Sequence, residues 1–302
     1  MSLTAFLLIL ASVFLHAGWN LISKKSVPSL AFYSLSCGTA ALLWLGPFLF
    51  AEFQPGAMPR NFWILVFFSV LFEILYVGGL AYAYQKSDIS LVYPMARALP
   101  LLMTALVSCV LGLGSRQPGS VAILGMGVVF LGCILMPLQK FRDFKWQVYF
   151  NPVIFLVILA AIGTTGYTVL DSCAMQEIFR VYQKKNLLLS MSYLFFIEAG
   201  ISLGTLLLVC CNKTERREFG RLLKTRSLSP ILTGICSSAA YVLILLAMNF
   251  VSNVSYIQAF RQLSLPLGVL AGILILKESH SIPKLLGTLI ILAGLIIVAL
   301  FP

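Results

Sequence analysis

The sequence predicts an all-α polytopic membrane protein of ten transmembrane helices, built as two inverted five-helix repeats. Three observations predict it. Of the 302 residues 60% are hydrophobic and only 10% charged, too little charge for a water-facing surface. Ten apolar runs follow one another with short connections, each near the ~20 residues that a spanning helix needs. A sparse set of residues also recurs in the same order in both halves, including two arginines deep in apolar runs, Arg97 and Arg261. A transmembrane β-barrel would show short alternating segments instead.

The first run, roughly 3–23, carries His16, Trp19, Asn20 and Ser23 at helical spacing on one face, closed by Lys24 and Lys25. That face is too polar for lipid and packs inward, either as helix–helix hydrogen bonding or as cavity lining. The second run is roughly 30–51, and the third, roughly 61–84, holds Glu73 and Tyr76. In the fourth, roughly 89–113, Tyr93 and Arg97 stand one turn apart with Pro94 and Pro100 nearby. Proline frees a carbonyl and bends a helix, which suits a gate element. The fifth, roughly 119–138, bears Gly125 and Gly132. The sixth, roughly 151–173, has Tyr167, Thr168 and, near its end, Asp171. Glu198 lies mid-span in the seventh, roughly 186–211, and Tyr241 in the eighth, roughly 229–250. The ninth, roughly 254–276, holds Gln258, Arg261, Gln262, Ser264 and Pro266, then Gly268 and Gly272 as a small-xxx-small contact. The tenth, roughly 282–301, carries Gly287 and Gly294. The longest polar stretches are 139–150, 174–185 and 212–228, so no soluble domain is inserted.

Tyr76, Ser90 and Pro118 match Tyr241, Ser255 and Pro283 at a shift of 165, and Gly125 and Gly132 match Gly287 and Gly294 at 162. Arg97 and Arg261 differ by 164. The common order divides the chain into a first repeat, 1–145, and a second, 146–302, forming one integrated membrane domain. Five helices is an odd number, so the second repeat enters from the opposite side, a plan that secondary transporters use. Connections after odd-numbered runs hold 14 Lys and Arg, those after even-numbered runs 5. The positive-inside rule then puts the odd connections in the cytoplasm and both termini outside.

A buried cation costs roughly 2.5–3.5 kcal/mol at the bilayer centre, so Arg97 and Arg261 are expected to face a cavity or an acidic partner. A guanidinium grips carboxylate or phosphate in a bidentate way, which makes both candidates for an anionic substrate group. Glu73, Asp171 and Glu198 are the competing partners, or carriers of a coupling proton, a role also open to His16. Tyr76, Tyr82, Tyr84, Tyr93, Tyr167 and Tyr241 form an aromatic-rich set, either a cage for a substrate amine or ordinary packing. The net charge of +11 would point to nucleic acid in a soluble protein; here it falls on loops and helix ends, where it meets anionic headgroups and sets topology. Seven cysteines lie in or beside apolar runs without metal-ligand spacing. His16 and His280 are the only histidines, and no phosphate loop is present. An enzyme, a metal site and a cofactor are therefore not expected.

His16-Ala17-Gly18-Trp19-Asn20 followed by Lys24, Tyr93-Pro94-Met95-Ala96-Arg97, Tyr167-Thr168 with Asp171, and Arg261-Gln262-Leu263-Ser264 with Lys277-Glu278 together resemble the drug/metabolite transporter superfamily, specifically its EamA-type bacterial ten-helix members. Two family glutamates are missing, one replaced by Gln262 and one by Ser115 in Gly114-Ser115-Arg116. The resemblance implies a central cavity lined by helices 1–4 and 6–9, with helices 5 and 10 bracing the back and helices 3–4 and 8–9 rocking. It implies both termini in the cytoplasm, opposite to the charge count. The function expected is secondary transport, in the export direction, of a small anionic or zwitterionic, amino-acid-like metabolite across the inner (plasma) membrane. The alternative is a non-enzymatic membrane subunit that flips a lipid-linked group or senses a ligand with a partner. The expected substrate-binding set is Arg97, Arg261, Tyr93, His16, Trp19, Asn20, Tyr167, Asp171, Gln258, Gln262, Tyr76 and Tyr241, with Glu73, Glu198 and Asp171 as coupling or ion-pair groups. The expected partners are a small-molecule substrate and membrane lipids, with a homodimer open and no nucleic acid.

Overall fold

The structure, a computed structural model, describes residues 3–110, 119–183, 187–248 and 263–301. These form twelve α-helices: α1 (Leu3–Lys25), α2 (Leu30–Phe50), α3 (Arg60–Lys86), α4 (Ile89–Val110), α5 (Ser120–Leu135), the single turn α6 (Trp146–Tyr149), α7 (Pro152–Tyr182), α8 (Leu187–Cys211), α9 (Lys213–Lys224), α10 (Ser229–Met248), α11 (Ser264–Leu274) and α12 (Ile282–Leu300). No strand occurs among the described residues. Six helices, α1, α2, α3, α7, α8 and α12, are long and apolar enough to cross a membrane. A seventh candidate is α10 paired with α9 across an 89° bend, and α4, α5 and α11 are shorter apolar helices. Gln258, Arg261 and Gln262 lie outside the described residues, as do Pro118 and Ser255 of the repeat matches.

Local sequence sets the ends. Ser29 accepts the Phe32 N–H at the start of α2. Asn151 accepts from the N–H groups of Val153 and Ile154, and Pro152 fills the first position of α7, where its missing N–H costs nothing. Ser281 accepts from Lys284 N–H at the start of α12. The end of α7 differs from expectation. It runs past 173 to Tyr182, where Gln183 turns left-handed at φ 51°. Ala174 and Ile178 continue its buried stripe while Glu177 and Arg180 pair on the outside, so the polar composition there marks an amphipathic helix, not a loop. Asp171 therefore lies three turns inside the helix and not at its end. Likewise the stretch 212–228 is not all connection, since α9 occupies most of it.

The helices pack in a set of pairs: α3 on α7, α2 on α8, α5 on α12, α1 on α10, α4 on α11, with α4 also on α7, α1 on α11, α2 on α10 and α3 on α8. Lipid is as apolar as a leucine, so such contacts rest on close approach and interhelical hydrogen bonds. At Gly163 of α7 an added Cβ would meet the Tyr76 N of α3 at 2.6 Å. On α5 and α12, Gly125 lies against the Gly294 carbonyl and Gly132 against the Gly287 carbonyl, with room for a Cβ at neither. Between α2 and α8, Ser34 Oγ donates to the Ser202 carbonyl at 3.0 Å while Ser202 Oγ donates to the Ser34 carbonyl at 2.8 Å. Gly268 and Gly272, the expected small-residue pair, let α11 close on Tyr93 and Ile89 of α4.

Candidate functional site

A cavity of about 570 Å³ opens between α1, α2, α3, α4, α7, α8 and α10. Each helix gives it one face. From α1 come Ser12, His16 and Trp19; from α2 Tyr33, Ser36, Cys37 and Trp44; from α3 Glu73, Tyr76 and Val77; from α4 Arg97. Helix α7 gives Thr164, Tyr167, Thr168 and Asp171; α8 Ser190, Tyr193 and Glu198; α10 Thr233, Ser237, Ser238 and Tyr241. These positions step by three and four, the spacing of one helical face. No lining residue among those described comes from α5 or α12.

In the cavity the carboxylate of Asp171 is held by hydroxyls of two neighbouring helices. Its Oδ1 accepts from Ser69 Oγ of α3 and, at 2.5 Å, from the Tyr193 hydroxyl of α8. Three helices thus meet at one carboxylate oxygen. Around it stand aromatic walls, with Tyr76 and Tyr167 edge to face at 5.9 Å. His16 is oriented by α1 itself: Trp19 Nε1 donates to His16 Nδ1 at 3.0 Å, and the two rings meet edge on. Among the described residues, Arg97 forms no ion pair with Glu73, Asp171 or Glu198. Three carboxylates and one described guanidinium therefore share the space, an arrangement rich in hydrogen-bond acceptors.

Of the expected site residues, Arg97, His16, Trp19, Tyr167, Asp171, Tyr76, Tyr241, Glu73 and Glu198 line the cavity. Tyr93 is buried behind it, 6.1 Å from the His16 ring and pressed on Gly268. Asn20 is buried elsewhere, accepting from the Tyr84 hydroxyl at 2.8 Å and donating to the His16 carbonyl. Sequence reasoning missed the α2 face, Tyr193 and the hydroxyl residues Ser12, Thr164, Ser190, Thr233, Ser237 and Ser238. Stepping back from Glu198 by four, five and eight residues reaches Leu194, Tyr193 and Ser190, so the signal for α8 existed. Helix α2 carries no charge within its span, and its face had no such marker.

Beyond the cavity, the α3–α4 turn is held from two sides. Lys24, five residues past Trp19, donates from Nζ to the Tyr84 and Ser87 carbonyls at 2.5 and 2.6 Å. Glu278, after α11, accepts the Ile89 and Ser90 N–H groups at 2.7 and 3.0 Å and so caps the helix that carries Arg97. Buried Lys284 of α12 reaches Asp88 at 3.3 Å, Ser90 Oγ at 3.2 Å and the Ser279 carbonyl at 3.0 Å.

One solved crystal structure is similar over 99% of this chain and 98% of its own length, at 16% identity and a TM-score of 0.53, a likeness of fold alone. No curated protein matches the sequence. A family model described as sugar transport protein matches residues 10–301, nearly the whole chain. With its apolar helices, that makes this a multi-pass membrane protein of a transporter family: the chain belongs to the sugar transport protein family.

Proposed function

We propose that this chain is a secondary transporter of the plasma (inner) membrane that moves a small polar solute by alternating access. The observation that carries it is the cavity, where, among the described residues, three intramembrane carboxylates and one arginine sit among aromatic walls. Charged groups at such depth are costly unless they serve a pathway, and about 570 Å³ lies within the ~300–1,000 Å³ of ligand sites. Among the described residues, the excess of acceptors over cations favours a hydroxyl-rich, sugar-like solute over the anion that the arginines alone pointed to. Hydroxyls would donate to Asp171, Glu73 and Glu198, and a sugar ring's apolar face would lie on Tyr76, Tyr167 or Trp44. A second reading, an amino-acid-like zwitterion, is favoured by Arg97, whose guanidinium has no carboxylate in contact among the described residues. The motif likeness to EamA-type members supports the same mechanism, and its expectation of export is tested by loading either face.

Ten spans in two inverted repeats, 1–145 and 146–302, are part of this reading. Order the apolar helices as α1–α5 and then α7, α8, α10, α11 and α12. Exchanging first with sixth, second with seventh and so on maps the main packed pairs onto one another: α3·α7 onto α10·α1, α4·α7 onto α11·α1, α2·α10 onto α8·α3. The pairs α2·α8, α4·α11 and α5·α12 map onto themselves, as contacts lying on a two-fold axis must. This supports rocking of α3–α4 and α10–α11 about the α5·α12 brace. The α3–α4 turn, clasped by Lys24, Glu278 and Lys284, then forms a latch that must release when that end opens.

The test is flux in proteoliposomes with labelled monosaccharides, amino acids and organic acids, wild type beside Asp171→Asn. Saturable uptake of a monosaccharide that Asp171→Asn abolishes is expected. Uptake of only an amino acid moves the substrate to the second reading. No flux of any solute, with a second chain copurifying, returns the protein to the lipid-flipping or ligand-sensing subunit.

A further inference from the structure

We infer that α9 is a docking surface for anionic lipid headgroups, and that it passes their binding to the transport helices through Glu215. The helix turns 89° from α10, so beside a spanning α10 it lies along the membrane plane. Its two faces differ sharply. Glu215, Phe219 and Leu222 follow helical spacing and pack inward against the ends of α2 and α8. The rest of its surface exposes Lys213, Arg216, Arg217, Arg221 and Lys224, with exposed Arg226 just beyond. Only Arg221 has its charge matched among the described residues, by Glu218 at 2.5 Å. Glu215 is buried, and among the described residues no acid forms an ion pair with Arg216, Arg217 or Lys224 on this face.

The choice of lipid as occupant rests on charge and on the apolar residues set among the cations. Leu223 shares a face with Arg216 and is 54% exposed, and Leu228 is 65% exposed. Leucines beside arginines suit the boundary of headgroup and acyl chain, where the leucines enter the chains and the cations meet phosphates. A soluble anion would use the cations and leave the leucines in water.

Glu215 links this surface to the interior. Its Oε2 accepts the Ala31 N–H, an otherwise orphaned donor at the start of α2, at 3.0 Å. Its Oε1 accepts from the Tyr82 hydroxyl of α3 at 3.0 Å. Both helices line the cavity. Headgroups that hold α9 in place therefore hold the starting turn of α2 and the last turn of α3.

The test is amide hydrogen exchange of 213–224 in the full-length protein, in nanodiscs of phosphatidylcholine alone and of two parts phosphatidylcholine to one part phosphatidylglycerol. Exchange at least about five-fold slower with phosphatidylglycerol is expected, since even one surface cation contributes on the order of five-fold in preference for an anionic membrane. The triple variant R216Q/R217Q/K224Q should lose that protection, while R142Q/K145Q, in another connection, keeps it. In Glu215→Gln, protection of α9 should persist while that of residues 31–34 no longer responds to lipid. Equal exchange in the two discs overturns the proposal, as does protection by inorganic phosphate in phosphatidylcholine discs, or its survival in the triple variant. None of these readouts needs solute flux, so a failure of the transport reading leaves them interpretable.

Discussion

Ser34 and Ser202 return the same bond to each other: each hydroxyl donates to the other's carbonyl, at 3.0 and 2.8 Å. Neither is in an irregular segment, so each carbonyl serves its own helix and the neighbouring helix at once. Ser34→Ala and Ser202→Ala should lower stability by similar amounts, each about 0.6–1.7 kcal/mol. Unfolding titrations of the single variants in one detergent check this; a loss confined to one serine would break the equivalence of the two sites.

Glycines on α5 separate packing from helix propensity. At Gly132 an added Cβ meets Ile291 N at 2.8 Å and the Gly287 carbonyl at 2.9 Å, whereas at Gly127 nothing lies within 4 Å. Gly132→Ala should force α5 from α12 and destabilise by about 1–3 kcal/mol. Gly127→Ala should be neutral or stabilise by up to about 1 kcal/mol. Thermal melts of the purified variants should rank them in that order around the wild type.

Asp171 is oriented by two hydroxyls on one oxygen. Tyr193→Phe removes a bond to a carboxylate, worth about 1.5–3 kcal/mol, and frees the group to turn. Both Tyr193→Phe and Ser69→Ala should raise the KM for flux about ten-fold or more with the protein still folded, and the double variant should fall short of the product of the two. Additive losses would mean that the hydroxyls do not act on the same group.

Arg97→Ala should abolish flux while the protein elutes and melts as a folded species. Arg97→Lys should rescue little, because a lysine lacks the planar fork that grips an acceptor pair. Wild-type rates in Arg97→Ala would remove the arginine from the pathway.

Glu278→Gln weakens the cap on Ile89 and Ser90, and Lys284→Met removes the cation in contact with Asp88. Both should favour the state open at that end. A thiol introduced as Trp19→Cys in an otherwise cysteine-free background should then react with a membrane-impermeant maleimide several-fold faster from the side of the α3–α4 turn. Unchanged labelling would make the clasp a fixed brace and not a latch.

The membrane class and the charged cavity residues were legible because burying charge in lipid is costly, so Glu73, Arg97, Asp171 and Glu198 stood out against apolar neighbours. Helix α9 was not legible: its period is apolar only at Phe219, Leu222 and Leu223, and a charged residue, Glu215, fills the remaining inward place. The end of α7 was missed because its outward residues become polar past 173 while its inward ones stay apolar. Arg97 led toward an anion, and only the assembled cavity placed three carboxylates in the same space. The clasp at the α3–α4 turn joins residues as far apart as Lys24 and Glu278, and nothing in local spacing pairs them.

The α5·α12 pair, locked at its glycines and absent from the cavity lining, gives the molecule a built-in ruler. Spin labels or dyes placed on the lipid-facing sides of these two helices should keep their mutual distance through the whole cycle. Any change measured from either of them to α4, α8 or α10 is then motion of that helix alone, so a single reference position can chart each moving part in turn.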